Sequence, residues 1–220
     1  MATLKEIIYN IKNLQGRGQH TDDLQLSNRQ LAYIVNHFRS TLATQKADKK
    51  ASLDGFYQTL NELKLSKSKE FRPTDPDVYV LKSDTMPSLA VSHRSGNMIQ
   101  FVGLRDEYIG FQKTELHLYN LDLENPYVRN VYFINNDKLY IATKNRSFLR
   151  EVLVKAVFDD PLEVLKHNNN DIDVFDEFNF EYPIPGNSLS QLNSLIIDNE
   201  YRWMNITQAD DENNGKDDKQ

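Results

Sequence analysis

Gly16-Arg17-Gly18 has a spacing with which backbone amides can cradle a phosphate. It follows a helical pattern rather than a strand and lacks the third glycine, so it reads as an interhelical turn. His20, His37, His93, His117 and His167 are scattered, none at a metal-binding spacing. Each reads as a surface or half-buried residue rather than a ligand or a base. Asp171, Asp173, Asp176 and Glu177 resemble the opening of a calcium loop. With Asp171 as first ligand, Phe175 falls at the fifth place and Asp176 where a glycine must turn, so the loop fails and the acids read as a solvated face. There is no Gly-x-Ser-x-Gly elbow, no P-loop and no His-Glu-x-x-His. The chain has no cysteine, which excludes disulfides, thiolate zinc sites and cysteine nucleophiles. The sequence therefore offers no catalytic constellation, no metal site and no cofactor site.

Binding chemistry is better represented. Val174, Phe175, Phe178 and Phe180 interleave with the acids near 171–177. Aromatic side chains in that setting either anchor an interface or cover the protein's own sheet. Lys46, Lys49, Lys50, Lys64, Lys67, Lys69 and Arg72 make one stretch basic, with no RNP-like or zinc-finger pattern beside it. A pI of 5.4 fits incidental phosphate contact, not a dedicated nucleic-acid binder. The charge is split along the chain. Residues 1–158 hold 22 Lys/Arg against 17 Asp/Glu, and residues 159–220 hold 4 against 15. Surfaces of opposite sign can attract one another between subunits, the alternative being a solvated acidic end.

The elements that must position these residues are legible as patterns. Thr3 caps a first helix, with Glu6 completing a capping box, and Leu4, Ile7, Ile8, Ile11 and Leu14 form its apolar stripe. A polar loop spans residues 15–23. Ser27 caps a longer helix, with Gln30 three residues on. Leu31, Ile34, Val35, Phe38 and Leu42 share its apolar face, while Arg29, Asn36, Arg39 and Gln45 fall on or beside the polar side. Lys46 to Lys50 is expected to fray. Phe56 to Leu60 reads as a helical turn, and Glu62 to Ser66, Val78 to Leu81, Met98 to Gly103 and Gly110 to Gln112 as short strands. Val131 to Ile134 and Leu139 to Ala142 form a hairpin about Asn135-Asn136-Asp137. Glu151 to Phe158 reads as a buried strand that Asp159-Asp160-Pro161 stops, and Lys166 to Asp171 as a polar loop. Tyr182-Pro183-Ile184-Pro185-Gly186 is a stiff connector that aims a last helix, capped by Asn187 or Ser188, with Leu189, Leu192, Leu195, Ile196 and Trp203 as apolar positions.

This layout is α+β: an N-terminal helical hairpin, a β-rich middle, then a C-terminal helix and an acidic tail. Length and patterning predict one domain over residues 1–204 and an acidic, flexible tail over 205–220. A chain of 220 residues with 39% hydrophobic and 26% charged residues can bury a core without staples. No apolar run reaches a membrane span, and Met1 to Tyr9 is no signal peptide. The absence of cysteine suits a reducing cytoplasm.

Several stretches, taken in order, resemble the ring proteins of crAss-like short-tailed bacteriophages. They are Ser27-Asn28-Arg29-Gln30-Leu31 with Tyr33-Ile34-Val35-Asn36 and Phe38-Arg39, Lys82-Ser83 leading to Met86-Pro87, and Phe101-Val102-Gly103. Leu139-Tyr140-Ile141, Val157-Phe158-Asp159-Asp160-Pro161 and Tyr182-Pro183-Ile184-Pro185 follow. The resemblance implies a non-enzymatic virion protein of the head-to-tail connector, made in the host cytoplasm. Such a protein forms a twelve-fold ring below the portal protein, extends or seals the DNA channel, and joins other ring and tail proteins. Its partners would be the portal, those neighbours, its own copies and, non-specifically, passing genomic DNA, with no membrane. Candidate interaction residues are Arg29, Asn36, Phe38, Arg39, Phe158, Asp159, Asp160, Phe175, Phe178 and Trp203. The alternative is a phage-encoded accessory binding module that uses the basic 46–72 region.

Overall fold

A computed structural model describes residues 2–15, 27–71, 73, 75–94, 96–105, 109–124, 130–144, 149–168 and 178–201. The first helix, α1 (Leu4–Gln15), starts as its capping box dictates. Thr3 N–H donates to Glu6 Oε2 at 2.9 Å, and Glu6 N–H to Thr3 Oγ1 at 3.2 Å. Two further N–H groups of the first turn, on Leu4 and Lys5, donate to the carbonyls of Phe180 and Phe178. The C-terminal connector thus closes over the beginning of the chain. The second helix, α2 (Asn28–Asp48), opens with a reciprocal capping box between Ser27 and Gln30. Leu4, Ile7, Ile8 and Ile11 meet Leu31, Val35, Phe38 and Leu42 in one buried cluster, completed by α5 (Gly186–Ile196) through Leu192 and Ile196.

Beyond α2 the chain builds β1 (Gln58–Lys67), β2 (Tyr79–Thr85), the small hairpin β3 (Val91–Ser92) and β4 (Gly96–Asn97), β5 (Ile99–Gly103) and β6 (Gln112–Lys113). A short helix α3 (Tyr119–Glu124), the hairpin β7 (Asn130–Asn135) and β8 (Lys138–Thr143), β9 (Glu151–Ala156) and α4 (Pro161–Asn168) follow. Seven strands form one sheet in the order β5-β9-β1-β2-β8-β7-β6, antiparallel except for β6 on β7. Its two edges meet. Phe111 N–H donates to Val102 O on β5 at 2.7 Å, and the next two residues pair with Val131 and Tyr132 on β7. The sheet thereby curls around an interior filled by Leu60, Leu63, Phe111, Leu139, Ile141 and Val154. On the outer face of β2, β7 and β8, α3 covers Val80, Phe133 and Tyr140. The β7–β8 turn is the expected one: Asn136 and Asp137 adopt φ of 49° and 55°, the left-handed pair that suits a two-residue hairpin.

Helices at the N-terminus and a β-rich middle make the fold α+β, as expected. Several local expectations are corrected. Helix α2 does not fray at Lys46; it runs to Asp48, because Lys46 Nζ donates to Ser188 Oγ at 2.8 Å and sits 5.6 Å from the Phe56 ring centre. Phe56 to Leu60 is no helical turn: a turn ends at Phe56, and β1 starts at Gln58 by pairing with Ala156. Lys166 to Asn168 belong to α4, held by Asn168, which bonds Asn61 N–H and Thr59 O. The last helix is entered from Pro185 without a side-chain cap, and Ser188 is buried instead. Leu14 ends its stripe 53% exposed. The Gly16–Gly18 turn, the acids from 171 to 177, Phe175, Trp203 and the 205–220 tail lie outside the described residues.

Candidate functional site

Asn36, Arg39 and Ser40 stand at i, i+3 and i+4 on α2, so one helical face presents all three. That face meets the chain where β9 ends and α4 begins. Arg39 is fully buried, which corrects its expected place on the polar side. Burial of a guanidinium is tolerable when its donors are met. Nε donates to Pro183 O at 2.8 Å, Nη1 to Phe158 O at 2.8 Å and Nη2 to Phe56 O at 2.7 Å. Its central carbon lies 5.9 Å from the Phe56 ring centre and 5.8 Å from that of Tyr182. Burial pulls the Arg39 pKa below its ordinary value, opposed by Tyr182, Asp159 and Asp160. One side chain thus ties α2 to the entry of β1, the exit of β9 and the connector before α5.

Around it runs a hydrogen-bonded chain. Tyr182 donates its hydroxyl to Asn36 Oδ1 at 2.8 Å, and Asn36 Nδ2 donates to Asp160 Oδ1 at 3.0 Å. The same carboxylate oxygen accepts Leu162 N–H at 2.9 Å. Asp160 therefore caps α4, with Pro161 in the first helical position where no N–H is needed. Ser40 Oγ donates to Asp159 Oδ1 at 2.6 Å. Burial pushes the Tyr182 hydroxyl far above its ordinary value.

Above this latch lies an open groove of about 610 Å³ along α2, with Asp159 and Asp160 on one side and β3 on the other. Tyr33, His37 and Asp48 line it from α2, and Val91 and His93 from β3 and the turn after it. Asp48 Oδ1 accepts from Ser92 Oγ at 2.7 Å, which fixes β3 to the helix end.

The structure brings Asn36, Arg39, Phe158, Asp159 and Asp160 together here. Phe158 contributes its carbonyl, while its ring fills the barrel interior. Phe38 points into the helical core. Arg29 lies a turn before the groove on the exposed side of α2, beside Tyr33. Phe178 sits apart, half-buried by a hollow with Lys5, Tyr9 and Lys12. Ser40 and Phe56 were not singled out from the sequence, although Ser40's spacing from Asn36 was a signal. Among the described residues no three His, Asp or Glu are placed to hold a metal ion.

The family model of phage tail ring protein 2, a crAss-phage ring, matches residues 6–219. The chain belongs to this family. No curated protein matches it. As a phage tail ring protein 2, the chain is a structural part of the virion tail. It works as an oligomer in association with other tail proteins, and the latch just described holds its helical layer against its barrel. No described helix is long and apolar enough to cross a membrane.

Proposed function

We propose that this protein forms one ring of the head-to-tail connector, below the portal, around the channel through which DNA passes, and that it joins the rings to the tail. The observation that carries this reading is the family match across residues 6–219. A twelve-fold ring would match the symmetry expected of a portal neighbour. Residues 1–204 would form the body of each subunit, and the 205–220 tail would reach to the next ring. We propose no catalytic step: the groove joins Ser40 to a carboxylate that orients it, and its polar groups hold α2 to the 158–160 turn. Channel-facing lysines would touch passing DNA without reading its sequence.

The test is to purify full-length protein and size it with and without the portal, and to image tails carrying an epitope at its C-terminus. A ring-sized complex that binds portal, with label at the neck of the tail, is the expected result. A protein that stays monomeric with portal and is missing from purified tails refutes the reading.

A further inference from the structure

Tyr33 is 75% and Val91 58% exposed at the groove rim. Arg29 and His37 are exposed one turn to either side of Tyr33 on α2. An uncovered helix row of arginine and tyrosine has the composition of an interface centre. The lining chemistry narrows the occupant. Three carboxylates, Asp48, Asp159 and Asp160, line the groove, with no lysine or arginine among its described lining residues. Arg39 below offsets one of them, its donors turned to backbone carbonyls. Arg94 beside Asp48 offsets a second, its N–H and Nη1 donating to Asp48 Oδ1 and O at 3.3 and 3.4 Å, so one carboxylate stays in excess. The occupant must bring cationic side chains together with some apolar surface.

The same chain carries such a surface at the far end of β1. Lys64, Lys67 and Lys69 are exposed there. Lys67 lies over the Tyr79 ring at 5.9 Å, and Phe71, Pro73 and Pro76 line a hollow of about 380 Å³ beside Lys67 and Lys69. Glu70 is neutralised by Lys82, and Glu151 stands opposite Lys64 on β9. Exposed Arg150, whose carbonyl accepts Leu65 N–H, adds a fourth cation, so the cations exceed Asp75, Asp77 and Glu151 by one. The two patches sit at opposite ends of one strand. Gln58, at the start of β1, donates to Pro161 O at 3.2 Å, next to the groove's Asp160. Lys67 ends the strand nine residues later, at most roughly 30 Å away at ~3.3 Å per residue, the bulge between Leu60 and Leu63 shortening the span. Unlike patches at opposite ends of a subunit make a head-to-tail contact, which closes into a ring when the rotation per subunit divides a full turn.

We infer that the α2 groove of one copy receives the Lys64–Lys69 end of β1 from the next copy. This rests on the ring reading above. Tyr33 and Val91 pack on the proline-lined hollow, and the lysines face Asp48, Asp159 and Asp160.

The chain has no cysteine, so two introduced thiols report the contact cleanly. Tyr33→Cys and Lys69→Cys are placed together in the full chain and treated with a short bismaleimide, in solution at low salt and in purified tails. The expected result is a ladder of covalent products beyond the dimer. Each single variant should stay monomeric, because like positions do not meet in a head-to-tail contact, and the double variant should not link within one copy, where the two positions lie at opposite ends of the subunit. Adding Lys64→Glu and Lys67→Glu should reduce the ladder at least tenfold at low salt. A second pair, Gln45→Cys with Lys67→Cys, should give the same ladder. Tails that contain the protein but give no ladder with either pair overturn the contact while leaving the ring reading intact. Single variants that dimerise as efficiently as the double overturn it in favour of a symmetric contact. Tails that lack the protein overturn the ring reading itself.

Discussion

Taking a guanidinium out of water costs several kcal/mol, and Arg39 recovers this only because three carbonyls meet its fork. Those carbonyls belong to Phe56, Phe158 and Pro183, segments that do not otherwise share a helix or strand with α2. Arg39→Met would remove the charge and orphan the three acceptors together. The expected loss is about 3–5 kcal/mol, read as a lowered urea midpoint: three buried groups left unpaired at ~1–3 kcal/mol each, less the cost of burying the charge, which Met removes. Arg39→Lys should recover less than half of it, since an ammonium cannot span the three directions. A midpoint unchanged in Arg39→Met would show that the fork is incidental. Tyr132 offers a second test at this scale. Burial on the barrel side raises its hydroxyl from 10.0 to about 12. The folded chain therefore holds this proton more tightly than the unfolded chain does. The resulting stability is complete below pH 10 and is lost as pH rises towards 12. Urea midpoints should fall across that window and fall less steeply in Tyr132→Phe; equal slopes would place the alkaline loss elsewhere.

Elements with short-range instructions form where their sequence directs. Ser27 and Gln30 satisfy each other's backbone amides, so Ser27→Ala should cost ~1 kcal/mol of stability in chemical denaturation. Asn136, at φ 49°, pays little for its left-handed conformation, and Asn136→Ala should cost ~1 kcal/mol by the same measurement. A loss below the error of the midpoint in either variant would mean that tertiary packing alone fixes that boundary. Both features were readable because every partner lies within four residues. The same holds for the stripes of α1 and α2 and for the strand cores. What was hidden depended on distance. Arg39 reads as polar-face because its carbonyls come from residues 17, 119 and 144 positions away. Lys46 reads as a fraying end because Ser188 is 142 residues distant. Helix α3 carries only six residues and two buried anchors, Tyr119 and Leu123, too few for a period to emerge. In the candidate site, the Asp159-Asp160-Pro161 stop was visible as a motif. Its coupling through Asn36 to Tyr182 was not, because nothing local relates positions 36, 160 and 182.

At the scale of the molecule, curling the sheet until Phe111 reaches Val102 uses up the edge that strand addition would need on that side. On that side copies are left with side-chain surfaces to associate through, where charge matters. The groove is acidic, and the C-terminal segment is acidic as well, with Asp210, Asp211, Glu212, Asp217 and Asp218 against Lys216 and Lys219. Like charges repel the tail from the groove of any copy, so the tail is expected to serve a different neighbour. Its sequence has no apolar stripe to repay an ordering cost of ~1–2 kcal/mol per residue within its own subunit. A ring presents the tail once per subunit, and contacts that are weak singly gain from that multiplicity. Deleting the chain after Asn205 should leave the melting temperature unchanged and ring size intact, because the latch and the three buried clusters lie upstream. Docking to the portal or to the adjoining ring should weaken, most strongly at low salt, since exposed ion pairs are screened over ~8–10 Å at physiological ionic strength. Equal docking by the truncated and full chains from low to high salt would leave the tail without a role in joining rings. A truncated chain that melts earlier would instead make the tail part of the subunit's own fold.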